Sequence, residues 1–396
     1  MRIAQINSSL SGSPGMLMRV LSQAMDENKI ENRILISKGS TSGNCIAYSS
    51  IREVKFNALL SRLSGNYGFT SDHASKRLIS LLEEFHPDLV QIHTVHGHDF
   101  NTETIFRYLK EQNIPVVYTF HDCWAFTGYC THYADPPCSA YQTVCDHCPV
   151  YHRYSWFYDH SRENFLRKKE ALTGIENLTI VTPSAWMKAQ VQTSFLKDRS
   201  CMVIPNGICT DVFHPCNTDV RKRLNLGEKH IVLAMALTIS KAKGWDDLLQ
   251  LAEILPDDYQ LVLVGVPEQA KEHAGKKIIA LPRTADQNEL AELYSAADVF
   301  VNPTHEDNFP TVNLESLACG TPVVTYATGG SPEAIDQKTG ASVPIGDIAG
   351  LCKEAEAWAE KKRQCTDACR RRAVSLYDCS VFSEHYLSLY QKILAQ

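Results

Sequence analysis

The sequence predicts an α/β protein made of two similar halves, each a doubly wound parallel sheet. Apolar runs of strand length alternate with helix-period stretches from residue 2 onward. The alternation pauses at Ile204-Pro-Asn-Gly-Ile208, stays polar to Pro215 and then resumes. Size agrees, because 396 residues at roughly 150 per domain predict two or three domains. A hydrophobic content of 44% is enough to bury substantial cores.

In the first half, residues 2–6 read as a short buried strand, and a Gly/Ser loop around Gly12 and Gly15 leads into a helix over Met16 to Met25. Arg33 to Ser37 is a strand, Ser75 to Phe85 a helix, Leu89 to His93 a strand and Thr102 to Gln112 a helix. Val116 to Phe120 and Leu178 to Thr182 are further strands. A doubly wound sheet puts its working crevice beyond the carboxyl ends of its strands. Polar residues stand there: Asn7, His93 with His96, His121 and Ser184. In the second half Ile231 to Leu237, Gln260 to Gly265, Lys277 to Leu281, Val299 to Asn302, Pro322 to Tyr326 and Ala341 to Pro344 read as strands. Helices start near Gly244, Asp286 and Thr311. Residues 349–377 and 380–395 read as helices, the last expected to pack back onto the first half. No short-period repeat is visible.

Charged residues at 21% exclude a disordered or coiled-coil chain, and a net charge of -6 offers no basic field for nucleic acid. The charge is uneven. Residues 1–208 carry 20 Lys and Arg against 19 Asp and Glu, and the remainder 19 against 26, so attraction to an anionic surface belongs to the N-terminal part. No run of 18 apolar residues occurs and the opening lacks a signal-peptide core, so a cytoplasmic protein is expected. The 14 Cys are spread through a long chain, unlike the short disulfide scaffolds of secreted proteins.

Five stretches coincide with one family: VTPSAWM (181–187), IPNGICTDVFHP (204–215), the KAKG loop (241–244), ELAELYSAADVFVNP (289–303) and THEDNFPTVNLESLACGTPVV (304–324). Together they resemble retaining glycosyltransferases of family 4, which have the GT-B fold: two Rossmann-like domains facing across a central crevice. HDCWAFTG (121–128) and the cysteines after it resemble a bacterial branch that builds capsules, colanic acid and O-antigens. The resemblance implies an acceptor-binding domain over 1–208, a nucleotide-sugar-binding domain over 209–378 and a returning helix over 379–396. It also implies transfer of a hexose, with retention, from a UDP- or GDP-sugar to a lipid-linked saccharide, on the inner face of the cell membrane.

Such a transfer must hold two phosphates, orient sugar and ribose hydroxyls and stabilise a departing diphosphate. Lys243 stands where the family places its phosphate-binding Lys. The Arg usual five residues earlier is Thr238 here, with Lys241 the candidate substitute. The N–H groups of Thr311 and Val312 open a helix and form an anion site with its dipole. Asp307 and Glu315 are eight residues apart and match the family's E-x7-E signature with Asp in first place. The resemblance assigns Asp307 to hydroxyls of the transferred sugar and Glu315 to the ribose diol, with Asn308, Phe309 and Gly265 as further donor contacts. It places His121 near the donor sugar, where imidazole or backbone stabilises charge at the anomeric carbon. Helix capping for Asp307, a surface charge for Glu315 and a core role for His121 are the alternative readings. Gly12 and Gly15 read as close backbone approach to acceptor or phosphate, and Gly329-Gly330 as an anion nest. No Asp-x-Asp pair occurs, so no cofactor is expected to be required for catalysis. No nucleophile constellation stands out. That fits front-face departure and attack, with double displacement the alternative.

Cys130, Cys138, Cys145 and Cys148 lie within nineteen residues and close on a C-x2-C pair. A structural zinc, reduced buried thiols and disulfides are the three readings. Residues 51–63, IREVKFNALLSRL, are either a helix lying on an anionic membrane surface or a core-facing helix with a solvated basic side. Two rival functions remain beside the transferase: a sugar-nucleotide 2-epimerase of the same fold and a non-catalytic nucleotide-sugar-binding subunit.

Overall fold

The computed structural model describes residues 1–94, 98–133, 137–236, 239–268 and 277–395. His96, Leu237 and Thr238 lie outside the described residues. The chain divides into two compact units, Met1–Ile204 with Ser383–Gln396, and Pro205–Phe382.

The first unit is built on seven parallel strands: β1 (Arg2–Asn7), β2 (Glu31–Ile36), β3 (Cys45–Ala47), β4 (Leu89–Ile92), β5 (Val116–Thr119), β6 (Leu178–Thr182) and β7 (Ser200–Val203). Their order in the sheet is β3-β2-β1-β4-β5-β6-β7. The sequence of the sheet reverses direction between β1 and β4. Central strands are buried on both faces, which is why β4 (LVQI) and β5 (VVYT) read as mostly apolar runs, with Gln91 and Thr119 the buried polar exceptions. The helix Gly12–Glu27 starts four residues earlier than its apolar period suggests. Helices Ser161–Thr173 and Ala185–Gln192 carry too weak an apolar stripe to be legible in advance. Within this unit Tyr386 and Tyr390 of the terminal helix are buried, the first hydroxyl 2.8 Å from Thr119 Oγ1 and the second bonded to Gln91.

The second unit has six parallel strands: β8 (His230–Met235), β9 (Tyr259–Val264), β10 (Ile278–Leu281), β11 (Val299–Asn302), β12 (Val323–Tyr326) and β13 (Gly340–Val343). Their order is β10-β9-β8-β11-β12-β13. Each sheet therefore has the doubly wound, Rossmann-like order, with a switch point at β1/β4 in one and β8/β11 in the other. The expected helix over 349–377 is two helices, Ile348–Glu360 and Lys362–Tyr377, joined at Lys361. Among the described residues no helix is long and apolar enough to cross a membrane.

Candidate functional site

The carboxyl ends of β8 and β11 carry two loops that are hydrogen-bonded to each other. After β8 the chain forms a short 3-10 turn, Lys241–Lys243, and enters the left-handed region at Gly244 (φ 73°) before the helix Trp245–Ile254. A side chain at 244 would put Cβ 2.1 Å from the Pro303 carbonyl oxygen, so only glycine permits this approach. The Ala242 carbonyl accepts the N–H groups of His305 at 2.9 Å and Glu306 at 3.2 Å. This aims Lys243 across the switch point. Its ammonium donates to the Glu306 carbonyl at 2.9 Å and to Asp307 Oδ2 at 2.8 Å.

Asp307 is held from behind by Gly329, whose Cβ would stand 1.7 Å from the Asp307 carbonyl oxygen, and Gly330 N–H donates to the Asn308 carbonyl at 3.0 Å. This corrects the nest reading of Gly329-Gly330. The pair is a backing for the 307–308 loop, with the Gly330 N–H already used. His305 Nε2 lies 2.6 Å from Asp247 Oδ2 and fixes the same loop to the first turn of the helix after Gly244. The sequence gives no signal for that pair, because 58 residues separate its members.

The helix Thr311–Ala318 begins after Pro310. The first-turn N–H groups at Thr311 and Val312 have no intrahelical acceptor by position, and the dipole adds positive potential there. Glu315, one turn further, accepts from the buried Tyr294 hydroxyl at 3.2 Å and from the Thr311 side chain. Burial pushes the Glu315 carboxyl up to about 7, against the lowering effect of those two bonds. Tyr294 is a hydrogen-bond partner of Glu315 that sequence reasoning missed, since its helical period reads as core. Asn308 is buried, and Lys241 is exposed beside Lys243. Phe309 is core: its ring meets Tyr377 edge-on at 5.8 Å, and only its carbonyl takes a directed bond, from Asn206 at 3.1 Å. Gly265 has φ 91° and its N–H is bonded to the Leu281 carbonyl at 3.0 Å.

In the first unit, His93 and His121 follow β4 and β5. His93 Nδ1 lies 3.2 Å from His121 Nε2, with the rings stacked at 5.5 Å. Burial, and then the charge of His121, hold the His93 pKa well below the usual imidazole range, so His93 is the neutral member. Gly12 starts the first helix with φ 73°. Gly15 is explained internally, because a Cβ there would stand 2.3 Å from the Leu10 carbonyl carbon.

Among the described residues the helical structure between Cys130 and Cys148 is one short 3-10 turn, Ala140–Gln142. All four thiols are free and lie within electrostatic reach of one another. The Cys130 and Cys148 thiols share a hydrogen bond, Gly128 N–H donates to Cys145 Sγ at 3.2 Å, and burial raises the Cys145 thiol to about 11. Beneath them Lys168 is fully buried, donating to the Trp124 carbonyl at 2.6 Å over that indole ring, and burial lowers its pKa to about 7. Among the described residues no three His, Cys, Asp or Glu side chains are gathered as a metal-holding group.

The two sheets define the class, an α/β protein of two Rossmann-like units. Residues 17–212 match the family described as Glycosyltransferase Family 4, and residues 217–373 the family described as Glycosyl transferases group 1. The chain belongs to the glycosyltransferases of GT-B fold. A D-inositol 3-phosphate glycosyltransferase of Geodermatophilus obscurus is 33% identical over 196 residues, 44% of this chain and 44% of that protein. An alpha-maltose-1-phosphate synthase of Mycolicibacterium smegmatis is 29% identical over 220 residues, 49% of this chain and 57% of that protein. The matched stretch thus spans 44% of the length of the first of these relatives and 57% of the second. Among solved structures, sucrose-phosphate synthase from Thermosynechococcus elongatus superposes with a TM-score of 0.72 at 20% identity, over 100% of this chain and 99% of that one. Anabaena HepE in complex with UDP-glucose superposes with a TM-score of 0.66 at 16% identity, over 99% and 100%.

Proposed function

We propose that this chain transfers a hexose from a UDP- or GDP-sugar to a lipid-linked saccharide of a surface polysaccharide, with retention at the anomeric carbon. One observation carries the donor half of this reading: Lys243, Asp307 and the helix N-terminus at Thr311 converge at the switch point of the second sheet, with Glu315 one turn behind. There Lys243 and the Thr311 and Val312 N–H groups neutralise the donor diphosphate. Charge on the leaving oxygen grows as the glycosidic bond lengthens, so these groups bind the transition state more strongly than the ground state. Glu315 takes both hydroxyls of the ribose diol, which a carboxylate accepts and an amide, with one acceptor oxygen, does not. Asp307 orients sugar hydroxyls and shares Lys243 with the phosphate. His121 is the candidate of the first unit, paired there with His93 at the carboxyl ends of β4 and β5. The complex of HepE with UDP-glucose supports a nucleotide-sugar donor, and the resemblance of residues 121–148 to polysaccharide-building enzymes supports the acceptor class.

Incubation with a panel of UDP- and GDP-sugars and lipid-linked saccharides tests the reading. Free nucleoside diphosphate together with an elongated, anomerically retained product is expected. An epimerised sugar nucleotide, or binding without turnover, would replace it with one of the two rivals.

A further inference from the structure

The helix Ile51–Ser64 is turned inside out. Its N-cap is Ser50, which accepts Glu53 N–H at 3.2 Å, and it ends on Gly65 at φ 75°, so its ends are well defined. At about 100° per residue, Val54, Asn57 and Ser61 share one face and Phe56, Leu59 and Leu63 the opposite one. The face packed on the protein is the one with Val54, Asn57 and Ser61, all buried. Phe56, Leu59 and Leu63 point to solvent, with Phe56 56% exposed. A helix of a globular protein normally buries its apolar stripe. This one presents it.

A second element extends the same surface. Trp156 N–H donates to the Arg62 carbonyl at 2.8 Å, which ties the segment Trp156-Phe157-Tyr158 to the last turn of the helix. Phe157 is 63% exposed, and Trp156 and Tyr158 about half. The join is rigid: the Gly65 carbonyl accepts from the Tyr129 hydroxyl at 2.9 Å and from Asn164 at 2.8 Å. Cations border the patch. Arg52, Lys55 and Arg153 are exposed, while the nearest acid on the helix, Glu53, is engaged by Arg77.

We propose that this patch is a docking surface for an anionic lipid bilayer, with Phe56, Leu63 and Phe157 entering the headgroup and acyl boundary and Arg52, Lys55 and Arg153 meeting lipid phosphates. Apolar surface bordered by Lys and Arg, with Trp and Tyr at its margin, is the composition of interfacial elements. The charge distribution is compatible with this, because residues 1–208 are near neutral, with 20 Lys and Arg against 19 Asp and Glu, while the rest of the chain is acidic, with 19 against 26. A second copy is the poorer occupant, since a twofold contact would set the same cations against themselves. The inference deepens the lipid-linked acceptor reading, but it is measured without donor or acceptor, so the two fail separately.

The test is sedimentation of the full chain with vesicles of phosphatidylcholine alone or mixed with phosphatidylglycerol. Binding to the anionic vesicles is expected, falling at least tenfold in F56S/F157S and in R52E/K55E, with unchanged melting temperatures because all four side chains are exposed. Three results would overturn the proposal: no binding to anionic vesicles, equal binding by wild type and both variants, or a wild-type dimer that F56S/F157S converts to monomer without any vesicle binding.

Discussion

Lys243 Nζ lies 2.8 Å from Asp307 Oδ2, joining the loops that follow two adjacent parallel strands whose residues are 64 positions apart in the chain. The Lys243 side chain is 44% exposed, and an ion pair this open contributes roughly 0 to 1 kcal/mol to folding. Its value lies in holding an ammonium at the carboxyl ends of β8 and β11.

Lys243→Ala should therefore lower kcat/KM for the donor at least tenfold, about 1.4 kcal/mol of transition-state stabilisation, while the melting temperature moves little. Combined with Asp307→Asn, the loss should be less than the sum of the two single effects, because both act on one contact. Steady-state kinetics on the three variants decides it. Wild-type turnover in Lys243→Ala removes the donor-site assignment.

Glu315 makes donor binding pH-dependent. Its carboxyl, lifted by burial to about 7, is largely protonated below that value, and a ribose diol is best accepted by the ionised form. Affinity should rise by up to tenfold per pH unit approaching pH 7 from below, then level off. Stability of the free protein runs the other way. The folded state binds this proton more tightly than the unfolded chain, so the contribution of Glu315 to stability falls as pH rises from about 4.5 to about 7. Titration calorimetry of donor binding and thermal unfolding of the free protein, each from pH 4.5 to 8.5, should show the two trends, and Glu315→Gln should flatten both.

Charge at the donor diphosphate comes from fixed groups in this reading, so turnover should survive brief EDTA treatment. It should also decline with salt, since the exposed Lys243 is screened over a Debye length of about 8 Å at physiological ionic strength. Loss of turnover restored by Mg²⁺ or Mn²⁺ would refute this.

The thiols of Cys130, Cys138, Cys145 and Cys148 are proposed as a structural zinc site. Four thiolates would draw the cluster together, and their negative charge would compensate the buried Lys168. Metal analysis should find close to one equivalent of zinc, and Cys145→Ser should lose it along with several degrees of melting temperature. A metal-free protein of full activity and equal stability would defeat the idea.

The central strands of both units were legible because parallel strands buried on both faces appear as mostly apolar runs, whereas the weakly amphipathic helices Ser161–Thr173 and Ala185–Gln192 were not. The KAKG loop and the 307–315 segment were picked out because each resembles a family motif contained within a few residues, and the structure brings the two together through Lys243 and Asp307. Edge strands were not. Cys45–Ala47 and Ser200–Val203 are short and only partly buried, and they are strands because a neighbouring strand offers them hydrogen bonds. The sequence shows that Phe56, Leu59 and Leu63 share a helix face, because helical period is a local property. That this face points outward, that Tyr294 lies under Glu315, and that Gly15 and Gly329 are pressed against backbone depend on elements brought together from distant parts of the chain. Contacts of that kind leave no local period or spacing to read.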